Sequence, residues 1–156
     1  SNADRNGARI LPTLLASHAP IDLIVIMLGT NDLKPAVCGS ASEAARGVRR
    51  LIQVIKAHFA GEGQPRPKIL VAAPPHIVDT DDELMITHFG GIEHAKAQSL
   101  EFSRHYRRVA EEMNVAFFDA STVAVASPLD GVHLDAANTR AIGDALAPLA
   151  KELLGL

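Results

Sequence analysis

The run Ile21-Asp22-Leu23-Ile24-Val25-Ile26-Met27-Leu28, closing on Gly29, decides the fold. It is almost continuously apolar and rich in β-branched residues, the pattern of a strand covered on both faces, and such strands belong to parallel sheets. Two further runs share the pattern: Ile69-Leu70-Val71-Ala72-Ala73 stops at Pro74-Pro75, and Val115-Ala116-Phe117-Phe118 stops at Asp119. Helical periods separate them. Ala8 to Ser17 predicts a short helix with Leu11, Leu14 and Leu15 available for burial. Ser40 and Glu43 stand at capping-box spacing ahead of a stripe of Ala44, Val48, Leu51, Ile55 and Phe59. Glu93 to Met113 predicts one long helix whose stripe is Leu100, Val109, Ala110 and Met113. Asp135 is the expected N-cap of a last helix carrying Ile142, Leu146, Leu149 and Leu153, with a kink or break at Pro148. The order α-β-α-β-α-β-α implies an α/β fold with a doubly wound, flavodoxin-like parallel sheet. Ligands of such sheets bind outside the carboxyl ends of the strands, here Gly29, Pro74 and Asp119. Pro75 to Gly91 is a long acidic connection with Ile77, Met85, Ile86 and Phe89 embedded in it, a length usual for functional loops.

With 156 residues, 47% of them hydrophobic, the chain can bury one sizeable core. A single domain over Asp4 to Leu156 is expected, Ser1-Asn2-Ala3 reading as the scar of a cleaved purification tag. A net charge of −3 and no run of Lys or Arg exclude an electrostatic surface for nucleic acid or anionic lipid, so the expected partner is a small organic molecule. No apolar run approaches the ~20 residues that cross a bilayer. Cys38 is the one cysteine, nothing requires an oxidising compartment, and a cytoplasmic location is expected. Glycine-rich nucleotide motifs are missing, and the carboxylates between Asp79 and Glu83 lack the spacing of an EF-hand, so no cofactor is expected. Nor is a metal: His58, His88, His94 and His105 have no His or Cys partner at ligand spacing, and His18 falls in a turn before Ala19-Pro20.

Two short motifs fall where such a sheet builds its site. Gly29-Thr30-Asn31-Asp32 follows the first strand, and Asp130-Gly131-Val132-His133 precedes the last helix. Glycine permits a tight turn beside a reacting group, and the Asn31 amide supplies a fixed donor for a developing oxyanion. A carboxylate three residues ahead of an imidazole can bond one ring nitrogen and leave the other as a general base. Singly, the first motif is an ordinary turn and the second an ordinary helix cap. Together, in this order and separated by two further strands, they point to a site.

These motifs resemble those of the SGNH (GDSL) serine ester hydrolases, in which a Gly-x-Asn-Asp block follows the third strand and an Asp-x-x-His block lies near the C-terminus. The resemblance extends through Asn6-Gly7-Ala8, Leu23 to Asp32, Pro74-Pro75, Gly90-Gly91, Phe117-Phe118-Asp119-Ala120 and Asn138, and is strongest to the arylesterase/acetylesterase and acyltransferase branch. It implies a three-layer α/β/α fold, an oxyanion block of Gly29 and Asn31, and a catalytic set of Asn31, Asp130 as orienting carboxylate and His133 as general base. His76, Ile77, Met85 and Phe89 are candidates for the pocket wall, with the last three alternatively a subunit contact. A small ester is the implied substrate, with water or an alcohol as acceptor.

The family's first strand ends in Gly-Asp-Ser, whose Ser is the nucleophile, and neither that block nor Gly-x-Ser-x-Gly occurs here. The expectation is that the N-terminal strands and the nucleophilic Ser lie upstream of this chain, which alone is inactive. The missing strand belongs beside Ile21 to Leu28, so an open apolar edge is expected, to be covered by the missing segment or by another copy in a homo-oligomer. Two other readings compete. Cys38 is an alternative nucleophile, although a small apolar residue at a loop-to-helix junction is the plainer account. The other reading is an inactive, truncated module of this fold acting as a scaffold or interaction domain.

Overall fold

The computed structural model describes residues 6–61, 63 and 65–156. The tag reading of Ser1-Asn2-Ala3 lies outside the described residues. Three parallel strands, β1 (Leu23–Ile26), β2 (Lys68–Ala73) and β3 (Ala116–Asp119), form one sheet in the order β1-β2-β3. The helices are α1 (Gly7–Ser17), α2 (Ala41–His58), α3 (Glu83–His88), α4 (Ile92–Leu100), α5 (Phe102–Glu112) and α6 (Ala136–Leu154). This is the α/β architecture that the alternating pattern predicts. Among the described residues, no helix is long and apolar enough to cross a membrane.

Alternation along the strands sorts side chains onto two faces. Ile26, Ile69, Val71, Ala73 and Phe117 join the main core with Leu15 of α1, the apolar stripe of α2, and Phe102, Tyr106 and Val109 of α5. On the other face Phe118 packs with Ala120, Ala124, Ile142 and Leu146 beneath α6. The helix ends are chemically marked. The Ser40 hydroxyl accepts the Glu43 N–H at 3.3 Å at the head of α2, and the Asp135 carboxylate accepts the Asn138 N–H at 2.7 Å at the head of α6.

Several expectations are corrected. The apolar run 21–28 yields only the short strand Leu23–Ile26, and it is not covered on both faces: Val25, Met27 and Leu28 are exposed, because among the described residues β1 is the sheet edge and pairs with β2 alone. A cavity of about 340 Å³ lined by Leu11, Val25, Met27 and Leu51 runs along that edge. The expected helix from Glu93 to Met113 is two helices meeting at Glu101. The buried Ser99 hydroxyl donates back to Lys96 C=O at 2.8 Å and accepts the Ile77 N–H at 3.0 Å, a side-chain bond that competes with the helical ladder. Leu100 is consequently exposed rather than on the buried stripe, which Phe102 and Tyr106 occupy instead. Pro148 does not break α6; the carbonyl whose helical partner it removes belongs to Asp144, an exposed residue. The connection 75–91 also holds a turn and a half of helix, α3, capped by Asp82 accepting from the Met85 N–H at 2.9 Å.

Candidate active site

Both motifs lie at the carboxyl end of the sheet. The chain leaves β1 and turns at Gly29, whose φ of 131° is open only to glycine. A 3-10 turn over Thr30–Leu33 follows, closed by Asp32 N–H donating to Gly29 C=O at 2.8 Å. Fully buried Leu33 pins the turn from below, while Asn31 stays exposed. Beneath it lies a residue that sequence reasoning did not single out. Tyr106, fully buried on α5, donates its hydroxyl to Leu28 C=O at 2.7 Å. Its signal was the Phe102–Tyr106 pair at helical spacing, hidden by the assumption of one helix through Leu100. Asp32, half-buried behind the turn, has its carboxyl pushed up by burial.

The second motif folds on itself. Asp130 Oδ1 accepts the Val132 and His133 N–H groups at 3.0 and 2.9 Å, and Oδ2 bonds His133 Nδ1 at 2.6 Å. Burial works against ionisation of Asp130, but these backbone and imidazole donors together hold its carboxyl below the usual range. An ionised carboxylate only accepts, so Nδ1 is the donor, and in the neutral imidazole that leaves the lone pair on Nε2. The imidazole is exposed, with 69% of the side chain accessible, so Nε2 is open to an approaching molecule. The loop is tied to the segment after β2: Val78 N–H donates to Gly131 C=O at 3.0 Å, and the Thr80 hydroxyl to Leu129 C=O at 3.2 Å. Ser127 N–H donates to His133 C=O at 2.7 Å and closes the loop.

The remaining sequence candidates take different places. His76 follows β2 near Asp119. Burial opposes ionisation of Asp119, yet hydrogen bonds from Ser103 and Ser121, with the His76 charge nearby, hold its carboxyl low. Phe89 has no exposed surface and Ile77 almost none, and Met85 packs against the same core. Ile77 and Phe89 therefore present nothing to a cleft; they support the connection from within. Burial and the neighbouring Asp32 charge push the Cys38 thiol up, away from the thiolate a nucleophile needs. Among the described residues no three His, Cys, Asp or Glu side chains converge as metal ligands. The larger cavity, about 550 Å³, is lined by Ile55, Phe59, Lys68, Ala116 and Leu153 at the amino ends of β2 and β3. It lies at the other end of the strands from Asp130 and His133, so hydrogen-bond geometry, not volume, locates the candidate site.

Comparison with known proteins points to one family. Solved structures similar to the chain include a carbohydrate acetylesterase family member from Sinorhizobium meliloti, with 45% identity and a TM-score of 0.92, covering 100% of this chain and 72% of that one. A second, Est24, a carbohydrate acetylesterase from Sinorhizobium meliloti, shares 36% identity over 98% of this chain and 73% of its own, with a TM-score of 0.86. The aryl esterase of M. Smegmatis shares 37% identity over 95% of this chain and 68% of its own, also with a TM-score of 0.86. No curated protein matches the sequence. The model of the GDSL-like Lipase/Acylhydrolase family matches residues 1–141. With its parallel sheet and an Asp-His pair beyond the strand ends, the chain belongs to the GDSL-like lipase/acylhydrolase family of carboxylic ester hydrolases.

Proposed function

We propose that this chain supplies the acid-base and oxyanion half of a serine esterase acting on small acyl esters, acetyl esters of carbohydrates or aryl alcohols among them. The observation that carries the reading is the Asp130–His133 pair: Oδ2 to Nδ1 at 2.6 Å, with Asp130 further fixed by two backbone donors and Nε2 left open. In the proposed reaction a serine hydroxyl attacks the ester carbonyl while His133 Nε2 takes its proton. The Asn31 amide holds the oxyanion, the alcohol leaves with the proton from His133, and an acyl-enzyme remains. Water, or an alcohol in acyl transfer, then attacks with His133 again as base. Asp130 orients the imidazole throughout and stabilises its charged form. Names of the solved relatives support the substrate class, one group being carbohydrate acetylesterases and another an aryl esterase.

The serine belongs, in this proposal, to a segment upstream of this chain. Support comes from the lack of a Gly-Asp-Ser block in the sequence and from the edge at β1, where exposed Val25 and Met27 flank an unfilled apolar cavity. A parallel strand carrying the serine would pair there; a second copy of the chain is the other occupant that fits an apolar edge. The test is hydrolysis of p-nitrophenyl acetate by the protein extended upstream, with and without His133→Ala. The extended protein is expected to turn over and the alanine variant to lose at least about a thousandfold. An inactive extended protein, or an alanine variant with full activity, overturns the proposal.

A further inference from the structure

Tyr106 is among the largest fully buried side chains of the molecule and is remote in sequence from both motifs. Its ring meets that of Phe102 edge-on, with centroids 5.2 Å apart, one turn earlier on the same stripe of α5. Phe102 shows that this stripe accepts a ring with no polar atom, so filling the core does not require a hydroxyl. Burying one is costly unless it is bonded, and the Tyr106 hydroxyl is bonded to Leu28 C=O at 2.7 Å. Leu28 lies beyond Ile26, the last residue of β1 paired with β2, so its peptide is outside the strand register. The phenol holds it instead.

The next residue is Gly29, and its contact with the phenol is direct. A Cβ built on Gly29 would fall 1.9 Å from the Tyr106 hydroxyl oxygen and 3.5 Å from the Ala44 Cβ. The start of the turn is thus seated on Tyr106 and α2 and bonded to the hydroxyl. From that seat the chain runs through Thr30 to Asn31 within a turn closed by its own hydrogen bond, leaving little slack between Leu28 and the amide. Burial above all, and then the charge of Asp32, push the phenol up beyond the ordinary tyrosine range, so it remains a donor.

We propose that Tyr106 is a positioning residue for ester hydrolysis: through Leu28 C=O and the underside of Gly29 it fixes the turn that presents the Asn31 amide to the oxyanion. The inference rests on the assignment of Asn31 as an oxyanion donor. Tyr106 touches no reacting atom; it acts on where Asn31 stands, and small misplacements of such groups are costly to rate.

The test is a double-mutant cycle in the upstream-extended enzyme, with p-nitrophenyl acetate as substrate and rates expressed per active site titrated with a phosphonate. Asn31→Ala is expected to lower kcat about a hundredfold. Tyr106→Phe, which keeps the ring, is expected to lower kcat roughly tenfold with KM within about twofold. In the Asn31→Ala background the same change is expected to alter kcat by less than about twofold, since the group it positions is gone. A purely structural tyrosine would lower the melting temperature with kcat unchanged, or slow both backgrounds by the same factor, and either result overturns the inference alone. Should Asn31→Ala leave kcat untouched, the oxyanion assignment fails and takes the inference with it.

Discussion

The turn from Gly29 to Leu33 rests on the hydrophobic core, whereas the loop from Ser127 to His133 is held over it by polar bonds. Leu33 and Tyr106 are fully buried beneath the first, and a side chain at position 29 would strike the phenol. The second is closed by Asp130 and Ser127 accepting backbone N–H groups and by single bonds to Val78 and Thr80, with its imidazole largely exposed. The two halves divide the work accordingly. A donor that must wait where charge develops gains from a rigid seat, while an imidazole that must reach serine, leaving group and water gains from being oriented but open. Damage to the first half should therefore cost stability and rate together, and damage to the second should cost less stability and fall mainly on rate.

The largest expected effect sharpens that division. In the upstream-extended enzyme His133→Ala is expected to lower kcat/KM by roughly 10⁴, or about 5.5 kcal/mol of barrier. Its unfolding free energy should stay within about 0.5 kcal/mol, because the side chain is exposed and packs on little. Urea unfolding of the same variant checks the second statement. Gly29→Ala comes next: a φ of 131° and a 1.9 Å approach to the Tyr106 oxygen predict a loss of about 3 kcal/mol or more in urea unfolding.

Gly131→Ala tests the contrast from the other side. Its φ is 75° and a Cβ would meet the backbone oxygen of Val78 at 2.6 Å, but residues 78–80 are partly exposed and stand outside the hydrophobic core. About 1 to 2 kcal/mol is expected. Equal losses for the two glycines would erase the distinction between a core-seated turn and a surface loop. The smallest effect is on pH. The carboxyls of Asp130 and Asp119 are held below the usual range, so the unfolded chain binds protons first as acid is added. Their stabilisation is complete above about pH 4, the ordinary aspartate value, and is lost as pH falls through the lower folded values. Asp130→Asn should flatten the acid limb of stability measured between pH 5 and 2.

Much of this was legible in the sequence, for identifiable reasons. Apolar runs ahead of Gly29, Pro74 and Asp119 mark the three strands, although the first is left partly exposed, and the spacing of Asp130 and His133 encodes a bond made within a single turn of chain. Local chemistry of this kind survives any tertiary context. What was missed depends on contacts between distant segments. The break between α4 and α5 falls beside Ser99, whose hydroxyl serves the Ile77 backbone, and Tyr106 bonds a carbonyl beyond the end of β1. The burial of Ile77 and Phe89 follows from how the 75–91 connection folds back on the core, which its acidic composition conceals. Exposure of Val25 follows from its place at the sheet edge, a property of strand order and not of the strand's own residues.

The proposed esterase chemistry requires the Asn31 amide and the His133 imidazole to serve one carbonyl. A crystal structure of the upstream-extended protein inhibited by a small alkyl phosphonate measures this directly. The prediction is Asn31 Nδ2 within about 3 Å of the phosphonyl oxygen and His133 Nε2 within about 3 Å of the modified serine oxygen. A phosphonyl oxygen held by other donors, with Asn31 turned to solvent, would contradict it.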